Sequence, residues 1–156
     1  METQKFAGPV WSLFRIVVGL LFALHGASTV LGLFGGNKGS GDALPLGQWP
    51  GWWAGMIQLV CGVLVLAGVF TRPAAVLASG SMAYAYFTVH QPQGLLPIEN
   101  GGVSPALYAW AFLAIAVLGA GPWALESLWK RQGAPAAVSG ESPSTSPSGV
   151  QGNLSQ

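Results

Sequence analysis

Charge is what this sequence has least of. Six lysines and arginines and five acids among 156 residues make 7% charged against 51% hydrophobic, where an ordinary soluble domain carries about 25% charged residues. That balance describes a membrane protein, and it excludes several functions at once. With a formal net charge of +1 and no basic stripe, nothing neutralises a row of phosphates, so nucleic acid is not an expected partner. The lone cysteine, Cys61, closes no internal disulfide and forms no CxxC pair or cysteine-based metal site. It reads as a small packing residue. The two histidines, His25 and His90, lack a haem or zinc spacing motif. No order of Ser, His and acid suggests a hydrolase, and no glycine run has a helix context suited to phosphate.

Apolar runs are what the sequence has instead. Four segments, 11–34, 52–70, 73–90 and 105–123, each hold about 18 to 24 residues, enough to cross a hydrocarbon core of about 30 Å as helices. Helices satisfy their own backbone, and four such strands close no barrel. The intervening "GGNKGSGDALPLGQWPG", "TRP" and "QPQGLLPIENGGVSP" are Gly- and Pro-rich breaks. Pro73 and Pro105 suit helix starts, where a missing N–H costs little. Lys5 and the small residues of "HGAS" resemble a signal peptide, but the first apolar run continues to Phe34, longer than a signal core. The expected fold is all-α: an integral membrane four-helix bundle.

Lys5, Arg15, Arg72, Lys130 and Arg131 fall on one side of these spans and Lys38 on the other, which places the N-terminus and the C-terminus in the cytoplasm. Tryptophans near the span ends, among them Trp11, Trp49, Trp52 and Trp123, form an interfacial belt. The expected organisation is a short cytoplasmic N-terminus at 1–10, a membrane domain at 11–129 and a tail at 130–156. Rich in Ser, Pro and Gly, that tail buries too little surface to order itself and reads as disordered.

Small residues repeat at four-residue spacing, Gly19, Ala23 and Ala27 in the first span and Ala75, Ser79 and Ala83 in the third, and let helices approach closely. Counting about 1.5 Å per residue from the cytoplasmic ends puts Arg15 about 6 Å deep, Gln58 about 18 Å, His25 about 21 Å and His90 about 26 Å. Arg15 is expected to snorkel to the interface, with Glu126 as a partner. Together with Arg72 these residues read as anchors. His25, Gln58 and His90 fall in the outer half and form the candidate polar pocket, because intramembrane ionisable groups face a bundle interior or a cavity.

"RIVVGLLFALHG", "CGVLVLAGVFTRPAAVLA", "HQPQGLLPIENGG" and "GAGPWALE", in this order, resemble the DoxX family of small bacterial and archaeal membrane proteins, over Phe14 to Glu126. The resemblance implies four membrane helices and, in some relatives, association with electron transfer, including a thiosulfate:quinone oxidoreductase. It carries over to Arg15, His25, Gly26, Thr71, Arg72 and His90, and to the loop Asn100, Gly101, Gly102. Two departures stand out: Gln58 and Val103 occupy positions where the resemblance implies glutamates, which removes proton-accepting groups.

The leading expectation is an accessory or quinone-interacting subunit of a membrane oxidoreductase or respiratory assembly, without catalysis of its own. A quinone is the ligand class suggested, and no catalytic residue or metal ligand is assigned. The expected partners are the lipid bilayer, other subunits of a redox complex and further copies of the chain, in a bacterial inner membrane. A structural or assembly protein is the second reading and a small transporter the third.

Overall fold

Thr3 opens a helix that runs unbroken to Leu31, α1, and four more follow: α2 at Gly51–Ala67, α3 at Thr71–Ala85, α4 at Val103–Leu118 and α5 at Leu125–Gln132. This is a computed structural model, which describes residues 3–132. The described residues are all-helical, without a strand. One helix is long and apolar enough to cross a membrane, over Lys5–Leu31, while α2 and α4 are shorter apolar helices. A turn of π-helix at Tyr86–His90 prolongs α3, and a single 3₁₀ turn at Gln91–Gln93 follows it.

The ends of these helices follow from glycine. α1 stops at Leu31 because Gly32 turns left-handed, with φ 68°, a conformation that glycine adopts without steric cost. α4 stops at Leu118, five residues before the expected boundary, because Gly119 takes φ 85°. Trp123 therefore lies in a loop, not on a span. At the other extreme, Lys130–Gln132, expected in the tail, belong to α5. The rest of the tail lies outside the described residues.

α1 and α2 are antiparallel and meet backbone to backbone. A Cβ on Gly19 would lie 2.6 Å from the Leu66 nitrogen, one on Gly26 2.3 Å from that of Leu59, and one on Gly62 2.5 Å from that of Ala23. The seam is thus a seven-residue repeat of glycine on α1 facing Gly62 and Gly55 of α2, with Ala23 between them. Close approach of this kind gains dispersion along the whole helix length.

α3 and α4 form the second antiparallel pair, with the Ser79 hydroxyl donating to the Ala109 carbonyl at 2.8 Å. The buried face of α3 is Thr71, Ala74, Ala75, Ala78 and Met82. Ala83 of the expected small-residue row lies beside that face, not fully on it. Phe22 of α1 reaches across to Tyr108 and Phe112 of α4, with ring centroids 5.3 and 4.5 Å apart. Around it Cys61, Val65, Ile115 and the alanines of α3 close the core.

Outside this core the surface is apolar. Leu20, Leu21 and Leu24 of α1, Val60 and Val63 of α2, Val76 and Leu77 of α3 and Leu107, Trp110, Leu113 and Val117 of α4 are all exposed. Contiguous apolar surface on several helices is far beyond what a soluble monomer presents and matches a protein solvated by lipid.

Candidate functional site

Two groups of polar side chains gather along α1, one around Arg15 near its middle and one around His25 towards its end. The first is built on Arg15, which is 0% exposed. Its Nε donates to the Ala120 carbonyl at 2.7 Å and its Nη2 to that of Trp123 at 2.8 Å. Nη1 donates to Leu66 at 2.7 Å and also to Val65. Val65 and Leu66 lie in the last turn of α2, where the carbonyls carry the negative end of the helix dipole, and that of Val65 also accepts from the Gly68 N–H at 3.2 Å. The cation therefore caps α2 while clamping the loop after α4.

Arg15 does not snorkel, because these carbonyls replace water at the guanidinium. Its hydrogen bonds go to backbone oxygens, not to the Glu126 expected as partner. Trp11 and Ser12 complete the clamp. The Trp11 indole donates to the Gly119 carbonyl at 2.8 Å, and the Ser12 hydroxyl accepts from the Trp123 N–H at 3.3 Å. Gly121 sits at φ 75°, where a Cβ would come within 2.6 Å of the Ser12 oxygen. "GAGPW" is therefore the loop that lies on the first helix.

The second group surrounds a cavity of about 310 Å³ between α1, α2, the α3 extension and α4. His25, Gln58 and His90 line it, joined by Ser104 and Tyr108 over a floor that includes Phe22 and Met82. Gln58 is buried, at 8% exposure, and its Oε1 has no hydrogen-bond partner. His90 is half-buried, whereas His25 is exposed. The π turn carries the chain from Tyr86 to His90 before the helix gives way, a local widening that recurs at functional positions.

His90 is held by the loop before α4. Its Nδ1 lies 3.0 Å from the Asn100 carbonyl. A carbonyl only accepts, so Nδ1 carries the proton and Nε2 of the neutral ring presents a lone pair. Asn100 is buried and folds that loop on itself. Its Nδ2 donates to Gly94 at 2.8 Å and its Oδ1 accepts from the Gly102 N–H at 2.8 Å. Gly101 takes φ 66°, and a Cβ on Gly102 would strike the Tyr86 ring at 2.7 Å. The Asn-Gly-Gly stretch thus supports His90 from outside the cavity. Val103 opens α4, and Arg72 and Glu126 lie away from this cavity, at the end of the molecule where Arg15 is.

Ser104 and Tyr108 were missing from the expected pocket. Their signal was a hydroxyl pair at i, i+4 at the start of an apolar run, a spacing that puts both on one helix face. The Trp11 and Ser12 contacts left no such signal, because their partners are backbone atoms.

An all-helical body clad in exposed apolar side chains, with Arg15, Gln58, Thr71 and Asn100 buried in it, defines a protein of membrane character. The DoxX family model matches residues 10–91. An uncharacterized protein of Haemophilus influenzae is 37% identical over 131 residues, 80% of this chain and 93% of that protein. The chain belongs to the DoxX family. No solved structure matches it.

Proposed function

We propose that the chain is a four-span protein of the bacterial inner membrane, with both termini cytoplasmic, that serves as an accessory subunit of a membrane oxidoreductase and takes a quinone headgroup in the cavity of His25, Gln58 and His90. The observation that carries this reading is the Gln58 amide, buried on the cavity lining with an oxygen that no donor reaches. Such an orphan costs about 1–3 kcal/mol, and the headgroup in its reduced, quinol form, whose hydroxyls donate, would relieve it.

Length supports the four spans. α2 and α4 rise about 24–26 Å, and α3 with its π turn about 30 Å, close to the hydrocarbon thickness. The cavity supplies hydrogen-bond partners of both kinds for a quinone or its quinol: the Gln58 amide nitrogen for a carbonyl, and Gln58 Oε1 and His90 Nε2 as acceptors for hydroxyls. Its remaining walls are apolar and aromatic, as ligand pockets are. Electron-carrying centres would belong to partner subunits. With glutamine at position 58 and valine at 103, the pocket orients a headgroup without an acid to take its protons.

The test uses the full chain in native-lipid nanodiscs with a short-chain ubiquinol and, for comparison, the corresponding ubiquinone, read by tryptophan quenching. Saturable quenching that His25→Gln weakens is expected. No saturable binding, together with no oxidoreductase subunit co-purifying in mild detergent, would sink the proposal. A structural reading is favoured by one observation, the use of His90 to hold the Asn100 loop. It predicts that His25→Gln leaves every property of the protein unchanged.

A further inference from the structure

At the end of the molecule where Arg15 lies, a larger cavity of about 760 Å³ opens between the start of α3, the loop after α4 and α5. Its lining brings together Thr71, Arg72, Gly119 and Glu126. Thr71 is 2% exposed, yet its Oγ1 has no hydrogen-bond partner. A buried hydroxyl without an acceptor is rare and points to a partner that is not protein.

The surroundings say what kind of partner. Thr71 is the first residue of α3, a helix with no side-chain cap. The N–H groups of Thr71 and Arg72, ahead of Pro73, have no intrahelical acceptor, and the helix dipole is positive there. Arg72 follows directly, and its guanidinium lies over Gly119, where a Cβ would come 3.5 Å from Nε and Nη2. A cation, an orphan hydroxyl and an uncapped helix start suit phosphate oxygens.

We infer that this cavity binds a phosphate-bearing ligand, the phosphate of a membrane phospholipid headgroup, through Arg72 and Thr71. Phe70 and Leu118, 70% and 64% exposed, flank the cavity with apolar surface along which acyl chains lie. The site rests on the membrane placement proposed above and is independent of the quinone cavity, so either fails without the other.

The experiment is native mass spectrometry of the full chain in mild detergent, with dioleoylphosphatidylethanolamine, dioleoylglycerol or inorganic phosphate added separately. The wild type is expected to retain the phospholipid and not the glycerolipid. Arg72→Gln should lower retention about tenfold, and Thr71→Val several-fold, with Thr71→Ser close to wild type. Unfolding of the lipid-free variants guards against misfolding. Thr71→Val should be no less stable than wild type, since it removes an unpartnered hydroxyl, and Arg72→Lys keeps the charge if Arg72→Gln fails to fold. Equal retention of the glycerolipid, or retention unmoved in Arg72→Gln and Thr71→Val, would overturn the site. Arg72-dependent binding of inorganic phosphate without phospholipid retention would overturn the lipid as its source and leave the phosphate site standing.

Discussion

Arg15 and His25 sit on one helix, about 15 Å apart by helical rise, and the polar chemistry around them differs in kind. Arg15 gives four of its five N–H donors to carbonyls of α2 and of the loop after α4. Around His25 the protein leaves hydrogen-bonding capacity unused, most plainly at the buried Gln58 oxygen. A polar group satisfied by its own chain holds the fold together. A polar group that the fold buries and leaves unmatched lowers stability, and is retained where something outside the chain completes it.

Substitution at the two ends should separate these roles. The largest effect is expected from Arg15→Ala, which strands the carbonyls of Leu66, Ala120 and Trp123 inside the protein and leaves that of Val65 only its bond from Gly68. A loss of about 4 kcal/mol is expected by unfolding in mixed micelles, with Arg15→Lys recovering part of it because an ammonium cannot span the same fork of acceptors. A variant as stable as wild type would show that water reaches this end freely.

Asn100→Ala should come next. It removes the bonds to Gly94 and Gly102, for a loss of about 2 kcal/mol, and loosens the loop that holds His90. Quinone affinity should fall with stability here, so a change in one without the other would uncouple loop and cavity.

The smallest change in stability, and the one of opposite sign, is expected from Gln58→Leu. Removing an amide whose oxygen is buried without a partner should leave the unliganded protein unchanged or about 1 kcal/mol more stable, while quinone binding is lost. Destabilisation of more than about 1 kcal/mol would mean that Gln58 is a structural element like Arg15, and the contrast between the two ends would collapse.

Much of the helical plan was legible beforehand. Apolar runs bounded by Gly- and Pro-rich breaks located the helices to within a few residues at most ends, because lipid-facing and core-facing positions are both apolar and leave long uninterrupted stretches. The start of α1 was the exception, since a polar first turn carries no hydropathy signal. α5 carries no span signal: "LESLWKRQ" has apolar residues at i, i+3 and i+4 beside basic ones, an amphipathic pattern far shorter than a membrane crossing. Depth counting ranked His25, Gln58 and His90 together, and the structure lines one cavity with them. It gave no warning that His25 is exposed there, since the rotation of a helix about its axis depends on packing.

What the sequence determined by itself is the solvent and the secondary structure: a chain with so few charges and such long apolar runs belongs in lipid, and lipid leaves helices as the economical backbone. What tertiary structure alone decided is which polar groups are answered. The acceptors for Arg15 are main-chain carbonyls 50 to 108 residues away. Every residue carries such a carbonyl, so no side-chain pattern marks the ones that will be used. The same holds for what goes unanswered, since Gln58 and Thr71 become orphans only when neighbouring helices close around them.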